Sequence, residues 1–413
     1  MRKFTLFIAL VLVAILAACA SPAAPAAPAA PAEPAAPAAP AAPAAPAAPA
    51  TPAEPAAPEP TTWAEEHIDD YRPYEEIVAL AMQEGRITWY SNSSRSRRVA
   101  DSFMERYPGI EVEVFDISTA EMIERFSREY HAGIRNVDLM HLGDADGTLW
   151  MEFVRTGMLH IYRPYDIVPY INPVFLDTLM PMSIGFNAWF YNTEYFPDGQ
   201  PITSWWEITL PEWNGRVMTR HPWDHISTLA LLTTIVKNSD DMAADYERLF
   251  GTPLVLSPGS DTAGHEFIKR FMANDPIFLS SSGEIVRSVG ATTDRPILGL
   301  GDSGGLRFRY DEDLPINFIN NTTPSLGIAG IGALYIANEA NNPNVAKLLV
   351  RFMTDYHGLG FEPFSTVGGW PARMDIPVTP GNPPLYTLNF WAQDKEFLYY
   401  NVLTIADFVL LQQ

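Results

Sequence analysis

Cysteine is nearly absent: Cys19 is the one example in 413 residues. No intramolecular disulfide can form, so that residue must have another use. Positive charge is also scarce, with 27 Lys+Arg against 49 Asp+Glu and a formal net charge of −22. An acidic surface excludes nucleic acid as the main partner, because phosphate neutralisation needs a basic face. There is no Walker loop and no dinucleotide fingerprint, so neither nucleotide motif marks this sequence. What is present is a hydrophobic content of 47%, sufficient for a substantial core. The length suggests about two domains.

The chain opens MRKFTLFIALVLVAILAACAS. Arg2 and Lys3 precede an apolar run from Phe4 to Leu16. This is the layout of a secretory signal peptide over 1–18, and the run is short for a spanning helix. Leu16-Ala17-Ala18-Cys19 resembles the lipobox of bacterial lipoproteins, in which the cysteine becomes a lipid-modified N-terminus. The resemblance implies lipidation at Cys19 and an extracytoplasmic protein anchored to the cell membrane through that lipid. The rest of 19–61 is largely a Pro-Ala-Ala repeat. Proline fixes φ and removes donors, so polyproline II is expected there. About 40 residues at ~3.1 Å each give a semi-rigid tether on the order of 120 Å.

From Arg86 onward, strand and helix signals alternate. Ile87-Thr88-Trp89-Tyr90 reads as a strand, and Val99, Phe103 and Tyr107 then recur at helical spacing before Pro108-Gly109. Ile110, Val112 and Val114 alternate with Glu111 and Glu113 as in a half-buried strand. Met122, Ile123, Phe126 and Tyr130 return to helical spacing, 137–142 reads as a strand, and Leu149 and Phe153 lie on the next helix. A second set follows from Ile184. Repeated β-α-β-α implies an α/β fold with a mainly parallel sheet covered by helices. The order fits two lobes joined by crossovers near 184–192 and 325–337. Lobe 1 is expected over 62–183 plus 330–413, and lobe 2 over 184–329.

In open α/β sheets, ligands bind beyond the carboxyl ends of strands, where helix N-termini offer free N–H groups. Those positions carry small polar residues here: 91–94, Gly143-Asp144, Thr219-Arg220-His221, 280–282 and Gly301-Asp302-Ser303. Hydroxyls and glycine admit close approach to the backbone, although ordinary helix capping uses the same residue types. The expected cleft residues are Ser93, Ser94, Asp144, Arg220, His221, Ser281 and Asp302. Trp205, Trp206, Trp213, Trp223 and Trp370 are either stacking walls or core. The small hydroxyls are expected to carry more of the site than Arg95, Arg97 and Arg98, which suit a solvated helix face.

Several blocks together resemble the bacterial extracellular solute-binding proteins of ABC importers, ferric-iron-type group, with the type II periplasmic-binding-protein-like fold. They are ITWYSNSSRSRRVADSFMERYPGIEVEVF, VDLMHLGDADGTLWMEFVRTGML, IGFNAWFYNTEYF, ITSWWEITLPEWNGRVMTRHPW, PIFLSSSGEIVRSVG, GIGALYIANEANNPNVAKLLVRFMTD and GGWPAR. The resemblance covers roughly 86–373. It implies a monomeric, non-enzymatic receptor that delivers a small solute to a membrane permease driven by a separate ATPase. One departure bears on cargo. Ferric-binding members place adjacent tyrosines after the strand that corresponds to 297–300, and phenolates suit ferric iron. This chain has Gly-Asp-Ser-Gly-Gly there. Neither a metal centre nor a cofactor is expected. Arg95, Arg220 and Arg373 near small polar turns suit a phosphate ester, a phosphonate, a carboxylate or an anion-chelated ferric ion.

Two enzymatic readings compete. GDSGG at 301–305 and DTAGH at 261–265 match strings around the nucleophile and histidine of chymotrypsin-like proteases. The β-α context and the short separation argue against His265 and Ser303 acting together. His221 with His225 and Asp224 could ligate a metal in an extracellular metal-dependent enzyme, with Pro222 confining them to a helix-entry turn. Asp144 and Asp146 lack the rest of a calcium loop.

Overall fold

The computed structural model describes residues 62–412, apart from 70 and 356. The expected signal peptide, Cys19 and tether lie outside the described residues. Helices α1 (Trp63–His67) and α2 (Tyr74–Glu84) come first. Gly85 ends α2 with a φ of 70°, a left-handed conformation that glycine takes without steric cost. Then follow β1 (Arg86–Ser91), α3 (Ser96–Arg106), β2 (Glu111–Asp116), α4 (Thr119–His131) and β3 (Leu139–Leu142). Strand β1 pairs in parallel with both β2 and β3. On one face Ile87 and Trp89 pack with Val99 and Phe103 of α3. On the other, Tyr90 packs with Met122 and Phe126 of α4. A parallel strand covered by helices on both faces needs this double burial.

A π-helical turn at Leu149–Val154 buries Leu149 and Phe153. Strand β4 (Leu159–His160) and the long β5 (Pro181–Asn192) follow. The second half comprises β6 (Val217–Arg220), α5 (Ile226–Lys237), α6 (Ser239–Phe250), α7 (Ala263–Ala273), β7 (Ile277–Leu279), α8 (Ser282–Ala291), β8 (Leu298–Asp302), α9 (Phe308–Asp311) and β9 (Ile316–Phe318). The chain returns through β10 (Ala329–Ala337), α10 (Pro343–Met353), β11 (Trp370–Pro371) and α11 (Lys395–Leu410).

The sheet order is β2-β1-β3-β10-β5-β8-β6-β7. It comprises two parallel triplets, β2-β1-β3 and β8-β6-β7, joined by β10 and β5, which run antiparallel to their neighbours. Strand β5 pairs with β10 up to Phe186 and with β8 from Asn187 onward. This is a two-lobed α/β architecture in which β5 and β10 connect the lobes.

The core takes most of the tryptophans. Trp205, Trp206, Trp213 and Trp370 are buried, while Trp223 is exposed. Trp205 and Trp206 pack with Leu229 and Leu232 of α5 and with Phe267 of α7. The C-terminal helix joins that same core. Leu398, Val402, Ile405, Ala406 and Val409 of α11 pack there, although 330–413 as a whole was expected with the first lobe. The reason is helical spacing: these residues line one face of α11, and its partner is α5, buried from Thr228 to Val236.

Candidate ligand-binding cleft

A cavity of 320 Å³ lies where the lobes meet. Residues 183–187 of β5 and Gly330 of β10 line it at the connecting strands. From the first lobe come Arg95, just before α3, and Phe364, Thr366, Gly368 and Gly369 of the returning chain. From the second come Ser227 in the first turn of α5, and Asp302, Ser303, Gly304 and Arg307 after β8. Five of the lining residues are glycines, which lets a ligand reach the main chain.

The charged lining is two arginines and one aspartate. In so acidic a chain, this cavity is locally positive. Arg95 lies over the Phe364 ring at 5.8 Å, and Arg307 over Phe308 at 4.5 Å. Burial lowers the Arg95 pKa below the usual arginine range, and the like charges of Arg307 and Arg98 lower it further. An anion between Arg95 and Arg307 would relieve both penalties. Arg307 is steadied by donating to the Gly304 carbonyl at 2.7 Å. Asp302 is held by Arg220, which donates to Asp302 Oδ1 at 2.9 Å and to Ser227 Oγ at 3.0 Å. Asn187 Nδ2 also donates to Asp302 Oδ1, at 3.4 Å. Arg220 Nε is buried without a hydrogen-bond partner.

Of the seven residues singled out from the sequence, Asp302 lines this cavity and Arg220 holds it from behind. The other five are placed elsewhere. His221 packs edge-on to Phe278 at 4.6 Å between ring centroids, and its Nδ1 accepts from the Trp223 N–H at 3.3 Å. Ser281 caps α8 by accepting from the Glu284 N–H at 3.2 Å. Ser94 is exposed, and the Ser93 N–H donates back to Ser91 Oγ at 3.2 Å. Asp144 is buried and accepts from the Leu149 and Trp150 N–H groups, both at 3.2 Å. Burial raises its pKa, against the opposing charge of Lys395. Arg373 pairs with Asp375 at 2.8 Å and lines a different cavity, with Tyr74 and Arg351. So the first turn supplies an arginine to the cavity and keeps its serines out of it. Arg307 was missed altogether, and its turn carries no periodic signal. Gly185 and Gly330 did carry one, since isolated glycines inside strands mark close backbone approach.

The residues of the enzymatic readings have other partners. Ser303 is 1% exposed. Its Oγ accepts from the Phe186 N–H at 3.1 Å and donates to the Gly368 carbonyl at 2.6 Å. His265 contacts Thr262 Oγ1 at 2.9 Å and packs on Phe408. Among the described residues, no group of three or more His, Cys, Asp or Glu is placed to hold a metal ion. No tyrosine or histidine lines the cleft cavity. No described helix is long and apolar enough to cross a membrane.

No protein-family profile and no curated protein matches the chain. Solved structures do. An iron- and citrate-bound protein from Trichodesmium (IdiA, FutA) aligns at 17% identity and a TM-score of 0.59, covering 79% of this chain and 99% of its own. The apo ferric ion-binding protein A of Pasteurella haemolytica aligns at 13% identity and a TM-score of 0.60, covering 80% and 99%. The periplasmic binding protein AfuA of Actinobacillus pleuropneumoniae, with fructose-6-phosphate bound, aligns at 15% identity and a TM-score of 0.55, covering 78% and 97%. The described residues share the fold of these binding proteins.

Proposed function

We propose that the chain is the substrate-binding component of an ABC importer, a receptor that closes its two lobes on a small oxyanion and hands it to a permease. The observation that carries this reading is the cavity between the lobes, with Arg95 from one side and Arg307 from the other. A ligand that engages both arginines binds the closed form better, and only such differential affinity shifts the equilibrium. Suitable cargo is a phosphate ester, a phosphonate or a ferric ion already wrapped in an anion such as citrate. Bare ferric iron fits poorly, because the cavity offers one carboxylate and no phenolate. In this reading residues 1–18 are a signal peptide, Cys19 carries the lipid, and the Pro/Ala segment lifts the lobes off the membrane. Lobe 2 is built from 184–329 together with the C-terminal helix, and the chain works as a monomer with a separate permease and ATPase.

Thermal shift and titration calorimetry against inorganic phosphate, fructose 6-phosphate, a phosphonate, ferric citrate and ferric nitrilotriacetate test it. An anion from this set is expected to raise the melting temperature by mass action. No anion response, together with tight iron uptake and the purple colour of a ferric–phenolate, would overturn the oxyanion reading.

A further inference from the structure

We propose that the C-terminal helix is a strut behind the hinge that limits how far the lobes open. Helix α11 is rooted in the second lobe through the apolar face described above. Lys237 of α5 adds a contact to Asp394 at 2.9 Å. The start of the helix then reaches the first lobe. Lys395 is 3% exposed. Its Nζ donates to the main-chain carbonyl of Asp144, and to Gln393 Oε1 at 2.6 Å. One turn on, Tyr399 OH donates to Glu152 Oε1 at 2.8 Å, and Arg155 lies 3.7 Å from Glu396. The fit is tight. Gly147, at a φ of 86°, has the Lys395 carbonyl where a Cβ would stand.

The position of these contacts follows from strand geometry. Successive residues of a strand face opposite sides of the sheet. Gly330 of β10 lines the ligand cavity, while Ala329 and Ile331 line a smaller one with Trp391, Gln393 and Lys395. The lead-in to α11 therefore runs along the side of β10 away from the cleft. Its Trp391 N–H, donating to the Gly327 carbonyl at 3.0 Å, fastens it to the crossover. Bending the connecting strands to open the cleft brings the lobes together at this rear side. Close-packed contacts resist compression, so the meeting of Lys395 with 144–147 stops the motion. An empty protein held near its closed geometry gives up little affinity to the open state.

Pulsed dipolar distances between spin labels at Arg97→Cys and Asp294→Cys, in the full chain carrying Cys19→Ser, read lobe separation without any ligand. Both label sites are exposed. Lys395→Ala removes the side chain that fills the contact with 144–147. Glu396→Ala with Tyr399→Phe removes only the outer attractions to 152 and 155, and leaves the packed stop in place. With the strut whole, one distance dominates. In Lys395→Ala a longer distance is expected to rise from below about 10% of molecules to a major population, while the double variant gains no longer distance. An unchanged distribution in folded Lys395→Ala, or a longer distance in the double variant, overturns the proposal.

Discussion

The turn after β1 and the turn after β8 are built from the same material. Residues 91–96 read SNSSRS, and residues 302–307 read DSGGLR. In the first, Ser91 Oγ meets Ser96 Oγ at 2.6 Å and His141 Nδ1 at 3.1 Å. In the second, Ser303 Oγ is held between the Phe186 N–H and the Gly368 carbonyl. In each turn the hydroxyl is spent on internal structure and the arginine faces the cavity. Serine is short and finds a local partner first. Arginine carries its charge at the end of a long stem. A polar turn is thus two devices in one: short groups that fix its shape and a long group that meets the ligand.

The sharpest way to break this comparison is at the arginines. Arg95→Ala or Arg307→Ala should each weaken binding of the responding anion by about 10- to 100-fold, the worth of a hydrogen bond to a charged group. The double variant should show no heat in calorimetry. If the singles bind normally, the turns do not act through their arginines.

The next effect tests the internal role of the first turn by pH. His141 is buried, and burial lowers its pKa from 6.5 to about 4. Between those values the unfolded chain binds a proton that the native ring refuses. The contribution is therefore complete above pH 6.5 and is lost as the pH falls toward 4, by about 3 kcal/mol in all. Between pH 7 and pH 4.5, denaturant melts should show a loss about 2 kcal/mol larger in the parent than in His141→Gln. Equal losses would show that the ring is not held neutral.

Ser91→Ala should cost about 1–3 kcal/mol of stability by leaving buried groups without their partner, with anion affinity within a factor of two to three of the parent. Ser94→Ala is expected to be the quietest change, within about 0.5 kcal/mol in the same melts. A loss of affinity from either serine variant, without a matching loss of stability, would return the hydroxyls to the cleft.

These outcomes bear on what could be read from the chain alone. Strands and helices were legible because burial imposes periodicity: Val99 and Phe103 on α3, or Met122 and Phe126 on α4, announce a face. The crossovers were legible because β5 and β10 are long and apolar. Side-chain direction at the turns was not. Nothing in SNSSRS distinguishes a serine that bonds to His141, fifty residues away, from one that faces a ligand. Asp144 was chosen because it follows a strand. Its carboxylate is turned inward by the N–H groups of Leu149 and Trp150, and Lys395, 251 residues away, holds its main-chain carbonyl. Arg307 lay beyond the turn that drew attention, and only folding brings it to Arg95.

The shared strand β5 has a consequence for dissection of this protein. The change of partner from β10 to β8 falls at a single peptide bond, between Phe186 and Asn187. A gene fragment that ends there, on either side, leaves half a strand and a bare row of main-chain donors and acceptors on its former neighbours, the sort of edge that recruits other chains. Two-piece reporters or lobe swaps made from this chain should therefore be cut in the loops that flank 181–192, with the whole strand kept in one piece.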